Sequence, residues 1–199
     1  LARSCDFICE VFLSTDCQLS AELGKRLGAV VIDRPSNLAT DSSPEWLSWK
    51  HAQKWVEERY GDFDNFVSLP ATSPLRTRDD VKKSLQRLSQ TNADLCVGIT
   101  ETNHHPAFNM VKRDKNCMVK ILDGSARKFN RRQDAPKIYN LTTTVFTATS
   151  KHLNEHNGVF DGNVTSITIP KERAIDIDDI FDFKIAGFVM RKMDAGKTD

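Results

Sequence analysis

No stretch of this chain reaches the ~18 consecutive apolar residues needed to cross a bilayer, and no signal-peptide pattern opens it. A soluble, cytoplasmic protein with no membrane partner is expected. An excess of charge of one sign is also missing. The 28 Lys+Arg and 27 Asp+Glu leave a net charge of +1, which argues against a dedicated nucleic-acid binder or a polybasic membrane-surface protein. Cysteine is sparse and unpatterned. The five residues Cys5, Cys9, Cys17, Cys96 and Cys117 are odd in number and include no C-x-x-C pair. That spacing suits neither a disulfide framework nor a cysteine zinc site, so reduced, mostly buried thiols are expected. Asn140-Leu141-Thr142 and Asn163-Val164-Thr165 match the glycosylation sequon, but without an export signal they read as chance matches.

What is present is an ordinary globular composition, 39% apolar and 28% charged over 199 residues. That length suits a single domain over residues 1–199 with a sizeable core. Strand and helix patterns alternate from Glu10 onward. Glu10 to Ser14 reads as a strand, Ala21, Leu23 and Leu27 as the apolar positions of a short helix capped by Gly28, and Ala29 to Ile32 as a buried strand. Ser42-Ser43-Pro44-Glu45 has the chemistry of a helix start, and Leu47, Trp49, Ala52, Val56 and Tyr60 follow at helical spacing up to Gly61. That spacing assigns the three tryptophans to packing in preference to a ligand-stacking platform. Phe66 to Leu69 is a central strand, Asp79 opens the next helix, and Leu95 to Thr100 is another strand. The alternation predicts an α/β fold with a mostly parallel, doubly wound sheet. From Glu101 to Thr142 the helical period lapses, and a short strand at Met118 to Leu122 suggests a hairpin-like arm leaving the sheet. Thr143 to Ala148 returns as a strand, and Ile180 to Gly187 marks a closing helix.

Four short stretches carry the chemistry. After the central strand, Pro70-Ala71-Thr72-Ser73-Pro74-Leu75-Arg76 places two hydroxyls and a guanidinium at a strand's carboxyl end, where open α/β sheets bind ligands. Asp33-Arg34-Pro35 opens a polar loop, in which Arg34 is either a surface arginine or a ligand contact. Asp176-Ile177-Asp178 puts two carboxylates on one side of an extended segment, a hard-oxygen site of the kind that takes Mg2+. Helix capping by the neighbouring acids competes for that segment, and both readings can hold, with Asp179 capping. Adjacent His104 and His105 read as a surface pair rather than a metal pair. Arg127 to Arg132 is basic but has too few interleaved aromatics for a nucleic-acid patch.

Taken together, Leu13-Ser14-Thr15-Asp16, LPATSPLR, Arg132-Gln133-Asp134-Ala135-Pro136 and Asp176-Ile177-Asp178 resemble the CMP-sialic acid synthetases (acylneuraminate cytidylyltransferases) in order and approximate spacing. The resemblance covers nearly the whole chain. It implies a nucleotide-diphospho-sugar transferase-like sheet whose arm, residues 101–142, builds a homodimer and reaches the partner's site. It implies transfer of CMP from CTP to the anomeric hydroxyl of a nonulosonic acid, an acidic nine-carbon sugar, with release of pyrophosphate. Arg34, Thr72 and Ser73 would then bind the nucleotide, Arg132, Gln133 and Phe146 the sugar, and Asp176 and Asp178 a Mg2+ ion. Asp176, Asp178 and Arg132 would be the catalytic set.

Two departures from the family qualify this. Pro70 stands where sialic-acid-activating members usually carry glutamine, so the sugar is expected to be a relative such as legionaminic, pseudaminic or deaminated neuraminic acid. Ala107-Phe108-Asn109 replaces the segment that sometimes supplies a lysine. The chain also begins at Leu1, in what reads as a helix tail, without the family's first strand and glycine/basic phosphate loop. On that basis these residues alone are expected to be inactive and to leave open strand edges. A catalytically silent relative that binds sugar or dimerises is the alternative.

Overall fold

The computed structural model describes residues 1–123, 129, 131 and 134–195. Two parallel strands, β1 (Phe12–Thr15) and β2 (Val30–Asp33), flank helix α1 (Gln18–Arg26) and form a small sheet. Gly28, at φ +83°, turns the chain out of α1 as its sequence position requires. The segment before β1 holds only a three-residue 3-10 turn, Ala2–Ser4, in place of the expected helix tail.

Helix α2 (Glu45–Tyr60) ends at Gly61, which adopts φ +84°. Its start differs from expectation: Pro44 occupies the cap position and no side chain caps it. Its buried face also differs. Trp46, Trp49, Ala52 and Gln53 turn inward, whereas Leu47 and Tyr60 are exposed. The tryptophans settle the register because they bury the most area. Trp49 packs against Phe66 and Phe146 at ring distances of 5.8 and 5.2 Å.

Strand β3 (Asn65–Ser68) leads through the Pro70–Arg76 loop to α3 (Arg78–Gln90), then to β4 (Leu95–Glu101). Thr77, not Asp79, caps α3. Its hydroxyl accepts from the Asp80 amide while the Asp80 carboxylate accepts from the Thr77 amide, a reciprocal box. The arm follows as an exposed hairpin of β5 (Val111–Arg113) and β6 (Val119–Ile121), turning at Asp114–Cys117. The long strand β7 (Tyr139–Thr149) passes into α4 (Ser150–Glu155), then β8 (Val164–Thr168) and α5 (Ile180–Ala195).

The larger sheet has the order β3-β7-β4-β8. Strands β3, β4 and β8 run one way, and β7, antiparallel to both its neighbours, runs the other. With β1 and β2 this makes an α/β fold with mostly parallel strand directions. Among the described residues β1 pairs with β2 alone and β3 with β7 alone. Helix α2 spans the gap, meeting Phe12 of β1 through Trp55 and Tyr60, and Phe66 of β3 through Trp49. The core lies between α2 and the larger sheet and comprises Trp46, Trp49, Leu95, Val97, Phe146, Ala148 and Leu153. No helix among the described residues is long and apolar enough to cross a membrane.

Candidate nucleotide site

The carboxyl ends of β1, β2 and β3 converge on one pocket of about 410 Å³. Asp16 and Arg34 line it from the smaller sheet, Pro70, Ala71 and Thr72 from the loop after β3, and Glu45 from the start of α2. Strands of one direction deliver their ends to one rim, which is why the loops meet there.

Arg34 is half-buried and fixed before any ligand arrives. Its Nε donates to Ser14 Oγ at 3.1 Å, and Nη2 donates to the Ser14 carbonyl at 2.7 Å. Two bonds on one edge of a planar guanidinium orient the whole group, so less freedom is lost when the remaining nitrogen meets an anion. Thr72 stands exposed on the facing wall.

The loop after β3 is held from within. Arg76 Nε donates to the Thr144 carbonyl at 2.7 Å, and Nη2 donates to the Pro70 carbonyl. Burial lowers the Arg76 guanidinium to about 10, still cationic at neutral pH, while Asp80 and Asp176 act to raise it. The guanidinium that the sequence offered to a ligand is therefore committed to backbone carbonyls. Ser73 is corrected in the same sense. It is 1% exposed, and its hydroxyl shares a 2.6 Å hydrogen bond with Thr143 Oγ1, so it braces the wall instead of facing the pocket.

Asp176-Ile177-Asp178 lies directly against this loop, with the Ile177 amide donating to the Thr72 carbonyl at 2.9 Å. Capping of α5 falls to its neighbours. Asp179 Oδ1 accepts from the Asp182 amide at 2.9 Å, and Asp182 Oδ2 accepts from the Asp179 amide at 3.3 Å. This leaves the 176/178 pair uncommitted to the helix. Asp176 Oδ1 is buried without a hydrogen-bond partner, and the Asp178 carboxylate is exposed and makes no bond among the described residues. Two carboxylates in this state fit a hard cation that retains most of its other ligands from phosphate and water. Both sit behind Thr72 and neither lines the pocket itself.

Other expected site residues fall elsewhere. Phe146 is 5% exposed and belongs to the core against Trp49, so it is not a substrate contact. Arg132 and Gln133 lie outside the described residues. His104 is exposed, but His105 is buried, its Nδ1 accepting from the Ala107 amide at 3.1 Å and its Nε2 3.3 Å from the Pro136 carbonyl. It fastens the base of the arm, which corrects the reading of a surface pair.

The sequence reading missed an ion pair made three residues before Asp176. Arg173 grips Asp80 with both terminal nitrogens, Nη2 reaching Oδ1 at 3.0 Å and Nη1 reaching Oδ2. The pair ties the 3-10 turn Lys171–Arg173 to the start of α3, three residues before Asp176. Burial by itself would raise the Asp80 carboxyl, but hydrogen bonds from Arg173 and Thr77 outweigh it and hold the group below its ordinary value. Only the proximity of Arg173 to Asp176 in sequence hinted at this.

No protein-family model matches the chain. Curated proteins are similar over most of it. Post-translational flagellin modification protein B of Campylobacter coli is 25% identical, covering 100% of this chain and 84% of its own length. The CMP-N,N'-diacetyllegionaminic acid synthase of Campylobacter jejuni is 28% identical, over 90% of this chain and 76% of its own. The N-acylneuraminate cytidylyltransferase of Streptococcus agalactiae is 27% identical over 87% of this chain, which spans only 41% of that relative. Among solved structures, a CMP:2-keto-3-deoxy-manno-octonic acid synthetase complexed with CTP superposes with a TM-score of 0.62 at 11% identity, over 96% of this chain and 85% of its own. The 4-diphosphocytidyl-2C-methyl-D-erythritol synthase of Anaerococcus prevotii gives 0.61 at 14% identity, over 92% of this chain and 82% of its own. At those identities the two structures speak for the fold alone.

Proposed function

This chain is a relative of the CMP-sialic acid synthetases, and on that premise we propose that it transfers CMP from CTP to the anomeric hydroxyl of a nonulosonic acid. The observation that carries the reading is that Arg34 and Thr72 line one pocket at the sheet's carboxyl rim while the Asp176/Asp178 segment is bonded to the back of its Thr72 wall. In the reaction the sugar hydroxyl oxygen bonds to the α-phosphorus as its proton passes to solvent, the bond from that phosphorus to the bridging oxygen breaks, and pyrophosphate leaves with the electron pair. Such a transfer needs positioning and charge neutralisation more than covalent help from the protein. Arg34, pinned by Ser14, offers a preset cation to the nucleotide, and Thr72 offers a hydroxyl from the opposite wall. Asp176 and Asp178 would hold Mg2+, which when bound offsets the charge of the triphosphate and of the departing pyrophosphate.

The sugar in this reading is a relative of sialic acid. Pro70 has no amide hydrogen to give, and its carbonyl is taken by Arg76, so this position makes no polar contact of the kind glutamine would. Names of relatives at 26–28% identity include legionaminic and pseudaminic acid enzymes. Those names lend no support to a catalytically silent relative. The test is pyrophosphate release from CTP with N-acetylneuraminic, legionaminic and pseudaminic acids supplied in turn. The expected result is turnover with at least one of the latter two exceeding that with N-acetylneuraminic acid, which would also set aside the expectation that residues 1–199 alone are inactive. Release with none of them would overturn the proposal.

A homodimer through residues 101–142 belongs to the same reading. Val111, Met118 and Val119 of the arm are 55–64% exposed, more apolar surface than a short solvated hairpin normally shows. Light scattering is expected to give twice the chain mass at micromolar concentration. A monomer there would remove the arm from the interface.

A further inference from the structure

At the opposite end of the sheet, Asp94, His152 and His156 bring one ligand atom each to within 4.8 Å of one another. We propose that these three residues hold a zinc ion that fastens α4 and the loop before β8 to the start of β4. The site is distinct from the nucleotide pocket. Along β7, Thr143 lines that pocket and Thr149 caps α4, a separation of roughly 20 Å at about 3.3 Å per residue.

Three observations carry the assignment. First, His152 is 1% exposed, and neither ring nitrogen makes a well-formed hydrogen bond; the Val159 backbone is the one protein group near enough to influence it in that way. Buried polar groups are almost always paired, and two nitrogens left so on one ring are costly unless something absent from the protein satisfies them. Second, His152 and His156 are spaced i, i+4 across the end of α4, which stacks the rings at 4.7 Å with their nitrogens toward Asp94. The Asp94 carboxylate is oriented by the Asn163 amide, which donates to Oδ2 at 2.9 Å. A backbone donor of this kind commonly sets a ligating carboxylate.

Third, Gly162 leaves the space between the donors open. At φ +102°, a Cβ there would lie 3.0 Å from Asp94 Oδ2, 3.2 Å from His156 Nε2 and 3.5 Å from His152 Nδ1. Any side chain would fill the point from which all three donors are reached. Two imidazoles and one carboxylate suit zinc better than magnesium. Zinc–ligand bonds of about 2.0–2.2 Å put ligand atoms roughly 3.4 Å apart, so closure from separations of at most 4.8 Å needs a contraction of up to about 1.4 Å. Solvent supplies the fourth ligand from the side of the exposed Gly162 loop, with Asp161 near enough to influence the His152 ring.

The test is zinc binding by the chelator-stripped protein, followed by calorimetry and thermal melting with zinc chloride alone. Saturable binding near one ion per chain is expected, with a rise in Tm of about 5–10 °C at a hundredfold excess over Kd, and no rise with magnesium chloride. His156→Ala, at a half-exposed helix end, should fold with an unchanged far-ultraviolet spectrum and lose both the stoichiometric binding and the shift. Gly162→Ala should do the same by filling the cradle. Absence of saturable binding in the wild type, or equal binding by folded His156→Ala and wild type, would overturn the site. Neither readout depends on nucleotide turnover, so this proposal and the proposed function stand or fall separately.

Discussion

Asp178→Asn is expected to lower CTP-dependent pyrophosphate release by about a hundredfold or more and to leave Tm nearly unchanged. The side chain is exposed and makes no hydrogen bond among the described residues, so its removal breaks no packing and no cap. Capping of α5 stays with Asp179 and Asp182. Altering groups that merely orient a metal ligand typically costs about 10–100-fold, and losing a ligand itself should cost no less. The measurement is initial rate against Mg2+ concentration, with melting curves on the same samples. Rates and Mg2+ dependence like those of the wild type would remove Asp178 from the site. A fall in Tm would show instead that the carboxylate serves the helix.

Arg173→Ala should do the reverse, unsettling the fold before the chemistry. The Arg173 and Asp80 side chains are 17% and 3% exposed, and removing one partner strands the other charge where water cannot reach it. Such losses run to about 3–5 kcal/mol, or roughly 10 °C or more in Tm for a chain of this size. The acid limb of the stability curve should change with it. Asp80 is held below its ordinary value of 3.8 in the folded state, so its contribution is present above that pH and is lost as pH falls through the folded value. Chemical denaturation followed from neutral pH to well below 3.8 should show that loss in the wild type, and a shallower dependence in Arg173→Ala. A variant as stable as the wild type at pH 7 would mean that the pair contributes nothing.

The alternation of strands and helices was legible because period and punctuation agree: Gly28 and Gly61 sit where α1 and α2 end. Less legible was the side α2 buries. Leu47 and Tyr60 satisfy helical spacing as well as Trp46 does, and only the rings of Phe66 and Phe146 across the gap decide between them. The direction of β7 was invisible for a similar reason, since a buried strand reads alike both ways. At the pocket, the motif loop marked the right place but assigned its members too uniformly. Ser73 and Arg76 share a motif with Thr72, yet one turns to Thr143 and the other to Thr144 and Pro70. The Thr143 and Thr144 partners, 70 and 68 positions away in the chain, cannot be read from spacing. Long separations also hid the Arg173–Asp80 pair, 93 positions apart, and Asp94 from its two histidines.

Among the described residues the two sheets share no ladder and meet mainly through ring contacts on α2, with a Ser48–Leu38 hydrogen bond and an exposed Arg78–Asp6 pair beside them, and this bears on how the molecule loses its structure. Contacts between aromatic rings tolerate sliding where a ladder of amides does not, so the small sheet with α1 is expected to open as a unit of its own. The pocket straddles the seam, with Asp16 and Arg34 on one bank and Pro70, Ala71 and Thr72 on the other. A nucleotide gripping both banks would bind only when the two units are docked. Its affinity is thus reduced by whatever fraction of molecules has drifted apart, and its binding restores that fraction. Occupancy of the pocket and cohesion of the fold are in this sense one equilibrium, seen from its two ends.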